Sequence, residues 1–122
     1  MAETCGTGMA AHAGLPAAMA EVMVATADIL DDHARWVAQS QDEHAAAEAL
    51  LWARIAAQHR SVAGLSAALA WDMRSAADLP DAPHDFSKMD PAVRDLMQRY
   101  VTVARSLASL LTQDADMMEA ML

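Results

Sequence analysis

Apolar residues recur at three- and four-residue steps through most of this chain, and scarcely any glycine or proline interrupts them. That spacing lines one face of a helix, whereas a strand needs alternation. Leu15, Met19, Val22, Met23, Thr26, Ile29, Leu30, His33, Trp36 and Val37 trace the first such face, with Glu21, Asp28, Asp31 and Arg35 off it. Ala47, Leu51, Ile55, Val62, Leu65, Leu69 and Met73 trace a second. Val93, Leu96, Met97, Tyr100, Ala104, Leu107, Leu111, Met118 and Met121 trace a third. Composition agrees, since 55% of the 122 residues are hydrophobic but only 4% are aromatic. Alanine, leucine and methionine favour helices, while sheets draw on β-branched and aromatic side chains. The expected fold is all-α, an up-down bundle of three long helices.

Local signals set the boundaries. Pro16 suits a first helical turn, where its missing N–H costs nothing, so helix 1 is placed at about 16–39. Ser40-Gln41-Asp42-Glu43 has the form of a capping box and predicts a tight hairpin into helix 2, over 41–77. Gly64 falls inside that run, at a cost of about 1 kcal/mol relative to alanine. The apolar register does not slip across it, which favours one continuous helix; a kink folding the chain into a four-helix monomer is the alternative. Residues 78–90, with Pro80, Pro83 and His84, read as a loop. Asp90-Pro91 then supplies an N-cap and a first-turn proline for helix 3, over 91–121. Residues 1–14 hold three of the four glycines and read as a flexible tail, leaving 15–122 as a single domain.

The unequal helix lengths point outward. At 1.5 Å per residue, helix 1 spans about 36 Å and helix 2 about 55 Å, so the first covers only part of the second. Three helices also leave one flank of a bundle open, and a second copy could fill both gaps. Trp52 and Trp71, on or beyond the edge of the helix 2 face, and the C-terminal Met117, Met118 and Met121 are the candidate interface residues.

Charge and cysteine usage remove other classes. With 17 acidic against 8 basic side chains, the chain lacks the basic footprint for nucleic acid or an anionic membrane. The single cysteine, Cys5, excludes an internal disulfide or a multi-cysteine zinc site. No basic, apolar leader opens the chain, and the longest apolar stretch noted, Ser61 to Trp71, is short of a membrane span. A soluble, cytoplasmic protein is the expectation.

Chemistry has one foothold. His33, His44, Glu48, His59 and Asp114 fall within apolar faces, where an ionised group needs a partner, a metal or water. Two imidazoles and one or two carboxylates on facing helices could hold zinc or iron. His33-Ala34-Arg35-Trp36 resembles the start of chemoreceptor zinc-binding domains, whose later cysteine and His-x-x-x-His elements have no counterpart here, so no ligand is carried over. The ten methionines could suit Cu(I), but most sit where methionine fills cores. No nucleophile and base can be paired, and there is no phosphate loop or HExxH. The expected function is a non-enzymatic oligomerisation or protein-interaction module, with a zinc- or iron-binding bundle as the alternative.

Overall fold

The computed structural model describes residues 8–76, 78, 79 and 86–122. Among them are three long helices and no strand: α1 (Gly14–Ala38), α2 (Ala45–Ser75) and α3 (Pro91–Met121). Short 3-10 turns at Met9–Ala13 and Phe86–Lys88 precede α1 and α3. The chain is all-α.

The helix ends show which local signals operate. Asp90 caps α3 as its sequence implies, its side chain accepting from the Ala92 N–H at 2.8 Å, with Pro91 in the first turn. The capping box at Ser40 does not form. Asp42 instead accepts from the His44 N–H at 2.8 Å, and Ser40 accepts from the Asp42 N–H at 3.2 Å. An aspartate readily captures the N–H two residues on, which holds the chain in a turn and delays α2 to Ala45.

The expected tail needs correction over its second half. Met9 and Ala13 are buried with Leu69, Met73 and Val93, and the Met9 N–H donates to the Leu79 carbonyl at 3.2 Å. Methionine is flexible enough to plug the irregular end of such a core. Residues 1–7, Cys5 among them, and 80–85, including Pro80, Pro83 and His84, lie outside the described residues. The loop is not featureless at its end, since Phe86–Lys88 makes a helical turn.

Paired contacts fix the directions of the helices. Ser66 donates to the Pro16 carbonyl at 2.6 Å, Arg60 bonds Asp28 at 2.8 Å, and the rings of His33 and Trp52 lie 4.8 Å apart. Partners therefore descend along α2 as they ascend along α1. Asp72 with Arg99 at 2.6 Å and His59 with Asp114 at 2.7 Å give α3 the same antiparallel relation to α2. It follows that α1 and α3 run parallel.

Each helix buries a seven-residue pattern of the kind that drives knobs-into-holes packing. On α1 it is Pro16, Ala20, Met23, Ala27, Ala34 and Val37, with Leu30 partly buried between. On α2, Ala45, Trp52, His59, Ser66 and Met73 follow one another every seventh residue, flanked by Ile55, Val62 and Leu69. On α3, Val93, Leu96, Val103 and Leu110 are buried, and Tyr100, Leu107 and Met117 fill intervening steps. Alanine recurs in the buried seams of α1 and α2, and these two helices approach most closely, whereas α1 and α3 scarcely approach one another. Small side chains allow that proximity. Arg60 straddles the α1 contact, reaching both Asp28 and Asp31; its hydrogen bond to Asp28, then that to Asp31, holds the guanidinium above its ordinary pKa.

Several residues assigned to the core by spacing are outside it. Leu15, Val22, Ile29 and Trp36 on α1, Leu51 and Leu65 on α2, and Leu111, Met118 and Met121 on α3 are all exposed. Ala47 is exposed as well. On α1 and α3 a second apolar face lies beside the one used, and on α1 the close approach to α2 selects the face with the smaller residues, Ala20, Ala27 and Ala34.

Helix α2 continues through Gly64 without a break. The position is exposed and a Cβ there would meet nothing within 4 Å. Gly64→Ala is therefore expected to stabilise the chain by about 0.5–1 kcal/mol, by removing backbone freedom from the unfolded state. A rise of a few degrees in Tm would show it; a fall would mean that the helix bends there.

Candidate functional site

The five polar residues found on apolar faces do not gather at one point; of them, His59 and Asp114 meet. His59 is fully buried, donating from Nδ1 to the Ile55 carbonyl at 2.8 Å and facing Asp114 Oδ2 with Nε2 at 2.7 Å. His33 is one turn of α1 away from Trp36, whose ring stacks on it at 5.8 Å, and it meets Trp52 edge-on. Glu48 accepts from the Trp52 indole N–H at 3.4 Å. His44 is 84% exposed, its ring 3.3 Å from Glu43. Because α2 starts at Ala45, that alanine and not His44 takes the inward position. Among the described residues, no three His, Cys, Asp or Glu side chains gather into a metal-holding group.

What remains is a two-membered polar element on the α2–α3 seam. The Ile55 carbonyl can only accept, so the His59 Nδ1 carries a proton. With Nε2 at hydrogen-bond distance from a carboxylate, a second proton lies between His59 and Asp114. Both ring nitrogens are thus committed to the fold. Among the described residues no buried side-chain nitrogen or oxygen lacks a partner. Ser66, one heptad from His59, is a second buried polar residue that face-reading missed. The run Trp52, His59, Ser66, Met73 at seven-residue intervals is the signal that could have found it.

The predicted interface residues also separate. Trp52 is only 6% exposed and belongs to the core with Ala34, Val37 and Ile55, so it is not an interface residue in this chain. Indole at that heptad step fills the space beside His33, where an alanine face alone would leave a gap. Met117 packs against the same cluster. Trp71 is 69% exposed, and so are Met118 and Met121 to a similar degree.

An open apolar groove lies between α1 and α3. One end, a cavity of about 400 Å³, is lined by Met9, Leu15, Met73, Met97, Tyr100 and Val101. Further along, Leu15, Met19, Val22, Met23, Leu107 and Leu111 line a cavity of about 220 Å³. The residues along both banks are heptad-spaced, mostly exposed and apolar, with Met19, Thr26, His33 and Ala104 half-buried among them. On α1 they run Leu15, Met19, Val22, Thr26, Ile29, His33, Trp36; on α3, Met97, Val101, Ala104, Ala108, Leu111, Ala115, Met118, Leu122. Each of these two helices therefore carries two adjacent seams, one satisfied by α2 and one left open. Trp71 is not among the residues lining either cavity.

The same apolarity gives Met9–Ala38 a segment with mean hydropathy 1.4, long and apolar enough to cross a membrane by length and composition, with a third of it buried. Counting unbroken apolar runs around Ser61 to Trp71 missed it, because Glu21 is a solitary charge within a much longer apolar stretch. In this fold the segment is a core helix on one side and a bank of the groove on the other. Compared with known protein families, with characterised proteins and with solved structures, the chain matches none of them.

Proposed function

We propose that the chain is a non-enzymatic interaction module, an up-down bundle of three helices that receives further helical surface in the groove between α1 and α3. The observation that carries this reading is the pair of parallel, heptad-spaced apolar ridges standing side by side without a cover. Single exposed apolar residues are ordinary on any protein, but a contiguous patch at helical spacing marks a contact surface. More than half of the surface of Leu15, Val22, Ile29 and Trp36 is exposed, and Leu111 and Met118 match them on the opposite bank. Methionines on such a bank give an adaptable contact.

The rival reading, a zinc or iron site, retains His59 and Asp114 as neighbours and loses His33, His44 and Glu48 to other contacts. Among the described residues, a catalytic reading lacks a nucleophile beside a base. The groove is the better candidate.

A charge placed on either apolar ridge beside the groove tests it. Ile29→Glu and Leu111→Glu are expected to abolish association, leaving particles at the chain mass of 13.0 kDa in light scattering while helix content by circular dichroism is unchanged. Trp71→Ser, away from the groove, should leave association as it is. If Trp71→Ser dissociates the protein and the groove variants do not, the working surface is elsewhere.

A further inference from the structure

The occupant of the groove follows from symmetry and charge. Resting on the reading that the groove is the working surface, we infer that a second copy of this chain fills it, related by a two-fold axis perpendicular to the helices, so that α1 packs antiparallel on α1 and α3 antiparallel on α3.

Three observations support this arrangement. First, charge along α3 is polarised. Its first half carries Arg94, Asp95, Arg99 and Arg105, and its second half Asp114, Asp116 and Glu119. Even with Arg99 committed to Asp72 and Asp114 to His59, Arg105 stays on the basic half and Asp116 and Glu119 on the acidic half. An antiparallel pairing sets basic on acidic, whereas a parallel one stacks like on like. On α1 the acids are already paired, Asp28 and Asp31 with Arg60 and Asp32 with Arg35, so the charge argument rests on α3.

Second, the open seams are self-complementary about one point. Reversing α1 places Leu15 opposite Trp36 and Val22 opposite Ile29. Reversing α3 places Met97 opposite Leu122, Val101 opposite Met118, and Ala108 opposite Leu111. The centre of the α1 seam lies near Thr26 and that of the α3 seam near Ser109. Those centres stand at about the same height, because Leu15 lines one cavity with Met97 and Val101 while Met117 joins the cluster of Leu30, Ala34 and Val37. A single axis therefore serves both helices, as an isologous interface requires.

Third, the surface is large enough. The exposed side chains of Leu15, Val22, Ile29, Trp36, Met97, Val101, Leu111 and Met118 present roughly 900 Å² per copy, against the roughly 800 Å² per partner of a standard stable interface.

Disulfide trapping distinguishes the orientation from the reading beneath it. In a Cys5→Ser background, Thr26→Cys lies at the axis and is expected to cross-link to itself under mild oxidation. Leu15→Cys alone and Trp36→Cys alone should cross-link at least tenfold less, and a mixture of the two should restore the bond, since the antiparallel axis brings these ends together. Self-linking of Leu15→Cys without linking in the mixture would overturn the antiparallel arrangement, while loss of mass in Ile29→Glu would still uphold the groove. A dimer that no groove cysteine traps, and that Ile29→Glu leaves intact, would sink both. Wild-type protein at 13.0 kDa at every concentration would remove the second copy as occupant and leave the groove to a foreign helix or a lipid surface.

Discussion

Asp114→Ala is expected to destabilise the chain by about 3 kcal/mol, although it removes a single side chain near the end of the last helix. The loss leaves His59 fully buried with Nε2 facing no hydrogen-bond partner. The loss falls at the low end for a broken buried pair because the Asp114 side chain keeps 17% exposure and water can partly replace it. Replacing both members, as His59→Leu with Asp114→Leu, should bring stability back to within about 1 kcal/mol of wild type, since two apolar residues at facing seam positions need no partner. A denaturation series at one fixed protein concentration measures both, concentration being held because association adds to apparent stability. A double variant as damaged as the single one would mean that the pair does more than satisfy its own burial.

Leu69→Ala should cost about 2–5 kcal/mol and Leu65→Ala less than about 0.5 kcal/mol, although the two leucines are one helical turn apart on a face that sequence spacing treats as uniform. Leu69 is fully buried among Met9, Met73, Val93 and Leu96, so truncation leaves a cavity in a packed core. Leu65 is 55% exposed and loses little on truncation. Urea midpoints of the two variants decide the matter. Equal losses would place α2 rotated from the orientation described here.

These contrasts show where the legibility of the sequence ended. The periodicity, the alanine content and the Asp90-Pro91 start of α3 depend on neighbours within one turn, and so they could be read directly. Gly64 was readable for the same reason, since an unbroken apolar register on both sides outweighs one flexible residue. The turn before α2 departs from the capping-box pattern because Asp42 holds the His44 N–H while Ser40 holds that of Asp42, so the chain stays in a turn until Ala45. His59 and Asp114 could be suspected of partnership, but the proposed ligand set could not be assembled from spacing. A rotation of α2 that brings Ala45 inward carries His44 into solvent, and His33 finds its place against the ring of Trp52 instead.

The sequence by itself determined that this chain is helical, where its long helices run and that its apolar surface exceeds what one interior needs. Those are consequences of hydrogen bonds and spacing within each helix. Only the tertiary structure decided which apolar face goes inside. Where two faces are both apolar, the hydrophobic effect is nearly indifferent between them, and close packing breaks the tie. The alanine seams let α1 and α2 approach, so the bulkier ridge of Leu15, Val22, Ile29 and Trp36 was left on the surface, beside its counterpart on α3.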